Sequence, residues 1–150
     1  MAEPSNLEAR GAILAGFCLS GVASLKGLGL MHAISDMIGA EYDTQHGLTS
    51  AIVLSADLRH NEPAVTDKIG PLAQAVGLSD TSFEEFFAHV CNTLDQVGIP
   101  RIMTDIGVAP DCAARIAAKA LQDNAAGTNA CILTVQDIEA VIAEALGCGR

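Results

Sequence analysis

The sequence is poor in aromatic side chains: of 150 residues none is Trp, one is Tyr and four are Phe. A core built from stacked rings is therefore excluded. Half of the residues are nevertheless hydrophobic, so the interior must be made from Ala, Leu, Ile and Val, a mixture that favours helices. A chain of this length is about one domain long and buries roughly 68–70% of the surface its unfolded form exposes. We expect an all-α fold, a bundle-like packing of helices in one domain over residues 1–150.

Positive charge is scarce as well. Eight Lys and Arg stand against 18 Asp and Glu, a net charge of −10, and the basic residues are scattered singly. Such a surface repels phosphate backbones and anionic lipid, which excludes nucleic acid and membrane as partners. Five cysteines, Cys18, Cys91, Cys112, Cys131 and Cys148, are odd in number and form no C-x-x-C. They make neither a disulfide framework nor a zinc knuckle and read as buried thiols in a reducing cytoplasm. No basic segment with a cleavage site opens the chain. The most apolar stretch, Ala12 to Leu25, is too short to span a bilayer and runs into Lys26. There is no G-x-G-x-x-G, no Walker loop and no nucleophile elbow, so nothing here binds a dinucleotide by itself.

What the sequence does have is helical periodicity. Ser5-Asn6-Leu7-Glu8 fits a capping box with Ser5 as the cap. The helix after it, carrying Ile13, Leu14, Phe17, Cys18 and Val22, is apolar on most faces, which predicts burial on all sides. Gly27 and Gly29 mark a close approach or a break, and a second helix runs to about Gly39. Glu41 to Gly47 is a polar turn, and a third apolar run spans Leu48 to Leu58. A further helix is predicted over Lys68 to Val76, with Pro71 in its first turn. Ser82 opens the clearest amphipathic helix, whose stripe is Phe83, Phe86, Phe87, Val90, Leu94 and Val97. Gly98-Ile99-Pro100 stops it. Pro110 opens a helix to about Leu121, and Thr134 caps a last one with Val135, Ile138, Ile142 and Leu146 inward.

The residues with most chemical content are His32, Asp36 and His46. His32 and Asp36 are four apart and share one helix face. His46 follows a polar turn that lets the chain double back toward that face. Imidazole nitrogens suit iron(II) and zinc, and a carboxylate can complete the set. The plainer alternative is a hydrogen-bonded core histidine, since His32 lies on the face of Leu25 and Leu28. His60 and His89 carry less, with His89 placed in solvent; Asp57, Glu62 and Asp67 read as a hydrated acidic face.

These residues sit in a familiar frame. Lys26-Gly27-Leu28-Gly29, then His32-Ala33, Gly39 and Tyr42-Asp43-Thr44-Gln45-His46-Gly47, resemble the iron-containing alcohol dehydrogenase signature K-G-L-G-x-x-H-A-x-x-H-x-x-G…Y-D-x-x-H-G-x-x-N-A. Gly98-Ile99-Pro100 with Ile106-Gly107-Val108, and Thr128-Asn129 with Leu133-Thr134 and Asp137-Ile138, resemble two later segments of that family, in the same order. The resemblance implies the C-terminal, metal-binding part of an NAD(P)-dependent enzyme that interconverts alcohols and aldehydes or ketones. It implies that His32 and His46 are ligands of a divalent iron or zinc ion. It places Asp36 where the family has a second histidine near the reacting centre, making Asp36 the candidate catalytic residue. Ser50 stands in place of an Asn and Ala130 in place of a Pro.

The family's nucleotide-binding domain and its D-x-x-x-H ligand pair have no counterpart in these residues. The expectation is a truncated or split cytoplasmic dehydrogenase that is inactive alone. NAD(P) would bind only if another chain supplied the nucleotide-binding domain. A second subunit of that kind, or a homo-oligomer, would cover the surface left bare. The alternative is a non-catalytic helical scaffold or interaction module derived from the family.

Overall fold

The computed structural model describes residues 3–147, so Cys148 lies outside the described residues. Six α-helices occur among them: α1 Leu7–Ser24, α2 Gly29–Tyr42, α3 His46–Ala75, α4 Phe83–Gln96, α5 Ala113–Ala120 and α6 Val135–Ala145. Two short 3-10 turns, Met103–Ile106 and Ala126–Thr128, join them, and no strand is present among the described residues. The all-α expectation holds.

The core forms where α2 and α3 pack on each other, with α5 against α2 and α6 against both α3 and α5. Leu30, Ile34 and Ile38 of α2 meet Val53, Met103, Ile116, Ile138 and Ile142, all wholly enclosed. On α6 the inward positions are Ile138, Ile142 and Leu146, as the period predicts, with Val135 half-buried. Thr134 caps this helix reciprocally: its Oγ1 accepts the Asp137 N–H, and the Asp137 carboxylate accepts the Thr134 N–H. The Thr134 hydrogen bonds also hold the Asp137 carboxyl below its ordinary range. Ser82 caps α4 by accepting the Glu85 N–H at 3.3 Å.

Several sequence expectations are corrected. Asn6, not Ser5, caps α1, its Oδ1 accepting the Ala9 N–H at 3.0 Å. No residue of α1 is buried, so Cys18 is exposed rather than a core thiol. The predicted runs over Leu48–Leu58 and Lys68–Val76 are one helix, α3, with Pro63 and Pro71 in its interior. Proline removes an N–H and frees the carbonyl four residues back. Those carbonyls belong to Arg59 and Asp67, and all four residues are exposed, so water can take the place of the missing bond. α5 starts at Ala113, later than Pro110, and His89 is half-buried.

The end of α2 is fastened to α5 by charge. Glu41 accepts hydrogen bonds from Arg115 Nε at 2.8 Å and Lys119 Nζ at 2.9 Å. These two cations hold its carboxyl down from 4.5 to about 2. A carboxylate depressed in the folded state stabilises fully above its unfolded pKa, and the contribution fades as pH falls through the folded one. Glu41→Gln should therefore lower the melting temperature at neutral pH. It should also flatten the loss of stability between about pH 4.5 and 2, readable from thermal melts across that range. An unchanged acid limb would show that the contact is screened out by solvent.

Candidate metal centre

The candidate site begins with how α2 is started. The first N–H groups of a helix have no partner inside it, and here side chains from far along the chain take that role. Thr128 Oγ1 accepts the N–H of Leu28 (3.1 Å) and of Gly29 (3.2 Å). Asn129 Oδ1 accepts the N–H of Leu30 at 3.1 Å. The Asn129 amide is itself held: it donates to Asn61 Oδ1 (2.7 Å) and to the Cys131 carbonyl (3.1 Å), and accepts from Asn61 Nδ2 (3.2 Å). The loop comes this close because residue 27 has no side chain. A Cβ there would stand 2.5 Å from Thr128 Cβ, and Gly27 holds φ +126°. His32 thus rides on a helix start clamped by the Thr128–Asn129 loop.

At the other end Asp43 takes a left-handed conformation, φ 54°, and its N–H closes on the Gly39 carbonyl at 3.0 Å. The chain then folds back along α2: Thr44 O lies 3.7 Å from where a Gly39 Cβ would be. Gln45 caps α3 by accepting the Leu48 N–H through its side chain, so His46 is the first residue of that helix. The doubling back expected from the polar turn is what the structure shows.

The result brings His32, Asp36 and His46 together. The two imidazole rings lie 5.3 Å apart between centroids, tilted by 46°. Asp36 Oδ1 stands 3.1 Å from His46 Nδ1, with both side chains close to half exposed. His32 Nδ1 is shut from solvent without a hydrogen-bond partner. Beneath them Ser50 Oγ donates to Ser35 Oγ (2.9 Å), and Ser35 Oγ donates to the His32 carbonyl (3.1 Å). Ser50, which replaces an Asn in the resembling family's pattern, therefore ties α3 to the turn of α2 that carries His32.

Two adjacent imidazoles, one with an orphaned buried nitrogen, form a donor pair that suits a borderline divalent ion. The pair is incomplete as a cage. No group of three or more His, Cys, Asp or Glu side chains in a metal-holding arrangement occurs among the described residues. Asp36 occupies the position of an orienting carboxylate on His46, leaving His46 Nε2 as the other ring nitrogen.

Two features were not legible beforehand. Asp57 is not part of a hydrated face: burial pushes its carboxyl up, against the hydrogen bond from Asn61 and the nearby His60 and His32. His60 also carries a buried, unpartnered Nε2. Neither shows in a pattern, because Asp57 falls on the side of α3 that α2 and the Asn61–Asn129 pair close off.

Comparison with known proteins shows the family to which the chain belongs. The C-terminal part of the Fe-containing alcohol dehydrogenase family matches residues 1–146. The 1,3-propanediol dehydrogenase of Klebsiella pneumoniae is 30% identical over 148 residues, covering 94% of this chain and 38% of that protein. The NAD-dependent methanol dehydrogenase of Bacillus methanolicus is 29% identical, over 97% of this chain and 40% of that one. Among solved structures, the alcohol dehydrogenase from Oenococcus oeni superposes with a TM-score of 0.73 at 29% identity, over 78% of this chain and 32% of that one. The chain belongs to the iron-containing alcohol dehydrogenases and corresponds to their C-terminal helical part. It spans between about a third and two fifths of the length of these relatives.

Proposed function

We propose that this chain is the metal-holding part of an NAD(P)-dependent alcohol dehydrogenase that interconverts small alcohols and aldehydes or ketones, and that these 150 residues do not turn over alone. The observation that carries the reading is the convergence of His32 and His46, from the starts of two different helices, to ring centroids 5.3 Å apart. An iron or zinc ion bound there supplies Lewis acidity toward a substrate oxygen.

The chain's own residues have separable tasks. His32 and His46 offer neutral imidazole nitrogens. The Asp36 carboxylate stands 3.1 Å from His46 Nδ1, where it would orient the ring and leave Nε2 as the nitrogen for a ligand bond. Asp36 is close to half exposed, so the carboxylate beside His46 is reachable by water. NAD(P) belongs to the reading only through a nucleotide-binding domain beyond these residues. Unbridged thiols at Cys18, Cys112 and Cys131 fit a reducing cytoplasm.

The test is zinc and iron(II) titration of the purified chain, with metal content read by elemental analysis. Wild type should take up one ion per chain, and His32→Ala/His46→Ala should lose at least about tenfold in affinity. Asp36→Asn should weaken binding by about 10-fold through loss of the orienting carboxylate. Equal metal content in wild type and double mutant would leave the second reading, a scaffold without catalysis. The absence of a third grouped ligand among the described residues favours that scaffold reading.

A further inference from the structure

Asp57 brings a carboxylate from the middle of α3 to the start of α2. Its Oδ1 accepts from Asn61 Nδ2 at 3.1 Å, and both ends of the Asn61 amide are bonded to the amide of Asn129. Thr128 and Asn129 satisfy the Leu28, Gly29 and Leu30 N–H groups, and the next one along, that of Met31, donates to the Asp57 carboxylate. Negative charge is favoured at that end of a helix. The residue directly before His32 is therefore held by Asp57.

The same carboxylate lies among imidazoles. Burial pushes it up, while Asn61, His60, Met31 and His32 each pull it down. His32 Nδ1 is shut from solvent and makes no hydrogen bond. Side chains on a helix lean toward its N-terminus, so the His32 ring tilts back over the turn that Asp57 holds. Asp36 is engaged elsewhere, 3.1 Å from His46 Nδ1. A buried N–H left without an acceptor is costly, and an imidazole that ligates a metal gives its other N–H to a carboxylate, a carbonyl or water. Two neutral rings bring no charge to a divalent ion, and among the described residues no third metal-ligating side chain is grouped with them. A carboxylate behind the ring then weighs more.

We propose that Asp57 is the positioning residue of His32: its carboxylate takes the Nδ1–H on the buried side of the ring and leaves Nε2 for the metal ion. Each ring of the pair then has its own carboxylate, Asp36 on the open side and Asp57 within. What Nε2 is left to do rests on the function proposed above. Where the proton sits does not, since the hydrogen bond the other nitrogen makes decides the tautomer of a neutral imidazole.

Long-range proton–nitrogen correlation spectra of the metal-free chain, at about pH 8 and above the ordinary imidazole range, read the tautomer; zinc titration reads affinity. In wild type His32 should carry its proton on Nδ1. Asp57→Leu should move it to Nε2, because the buried side then has no acceptor. Asp57→Asn keeps an acceptor, and so the tautomer, yet should lose at least about tenfold in zinc affinity with the charge. Circular dichroism checks that each variant is folded. Should Asp57→Leu not fold, the wild-type tautomer and the affinity of Asp57→Asn still decide. A wild-type His32 protonated on Nε2 overturns the proposal. So does a tautomer that folded Asp57→Leu leaves unchanged, and so does Asp57→Asn that binds zinc as wild type does. A proton on Nδ1 that Asp57→Leu displaces, in a chain that takes up no zinc, supports the pairing and sinks the metal reading instead.

Discussion

Asn129→Ala is expected to lower the unfolding free energy by about 3–5 kcal/mol, most of the stability of a marginal domain. The amide of Asn129 makes four hydrogen bonds, to the Leu30 N–H, both ends of the Asn61 amide and the Cys131 carbonyl. Leu30 is wholly enclosed and Asn61 is 7% exposed, so the groups left behind are poorly placed to find water. Each buried group left without a partner costs about 1–3 kcal/mol, and alanine leaves at least two. Asn129→Asp keeps the carbonyl that accepts from Leu30 but loses the donor to Asn61, and should fall between wild type and alanine. Urea unfolding followed by helical circular dichroism measures all three. A loss below about 1 kcal/mol for alanine would mean that the clamp on α2 is not needed to hold the helix. Because α2 carries His32, the same variant should weaken zinc binding even where the chain remains folded.

How much of this was written in the sequence differs from element to element. α4 and α6 were legible because their signals are local: a Ser or Thr cap, an acidic residue three places on and a stripe at helical spacing. The candidate site was legible because spacing alone places His32 and Asp36 on one face, and a turn-rich segment brings His46 back to it. The clamp on α2 was not, since Thr128 and Asn129 act on residues about a hundred positions away. No periodicity encodes that distance. α3 was misread because proline forecasts a break by local sterics, whereas the outcome depends on whether the freed carbonyl faces water. α1 shows the deepest limit. Its composition states that it must be covered, and nothing among the described residues covers it.

Gly27→Ala is the second large effect, expected at about 3 kcal/mol or more from a single methyl group. Two costs add. The backbone at φ +126° lies where an L side chain is strained, about 1–3 kcal/mol. The new Cβ would also stand 2.5 Å from Thr128 Cβ, a branch atom next to the backbone that no rotamer moves aside, so the loop itself must retreat. When it does, Thr128 Oγ1 leaves the Leu28 and Gly29 N–H groups, a capping loss of about 0.5–2 kcal/mol. Gly11→Ala is the control: nothing lies within 4 Å of it, and in a helix interior alanine is favoured over glycine by roughly 0.5–1 kcal/mol. That variant should gain helicity without touching the stability of the body. Thr128→Gly in the Gly27→Ala background, read against Thr128→Gly alone so that loss of the Oγ1 cap cancels, separates the two costs, because it removes the clashing Cβ and leaves the strained φ. Partial recovery of the urea midpoint would assign the remainder to the backbone. Full recovery would show that close approach of the loop, rather than conformation, is why glycine stands at position 27.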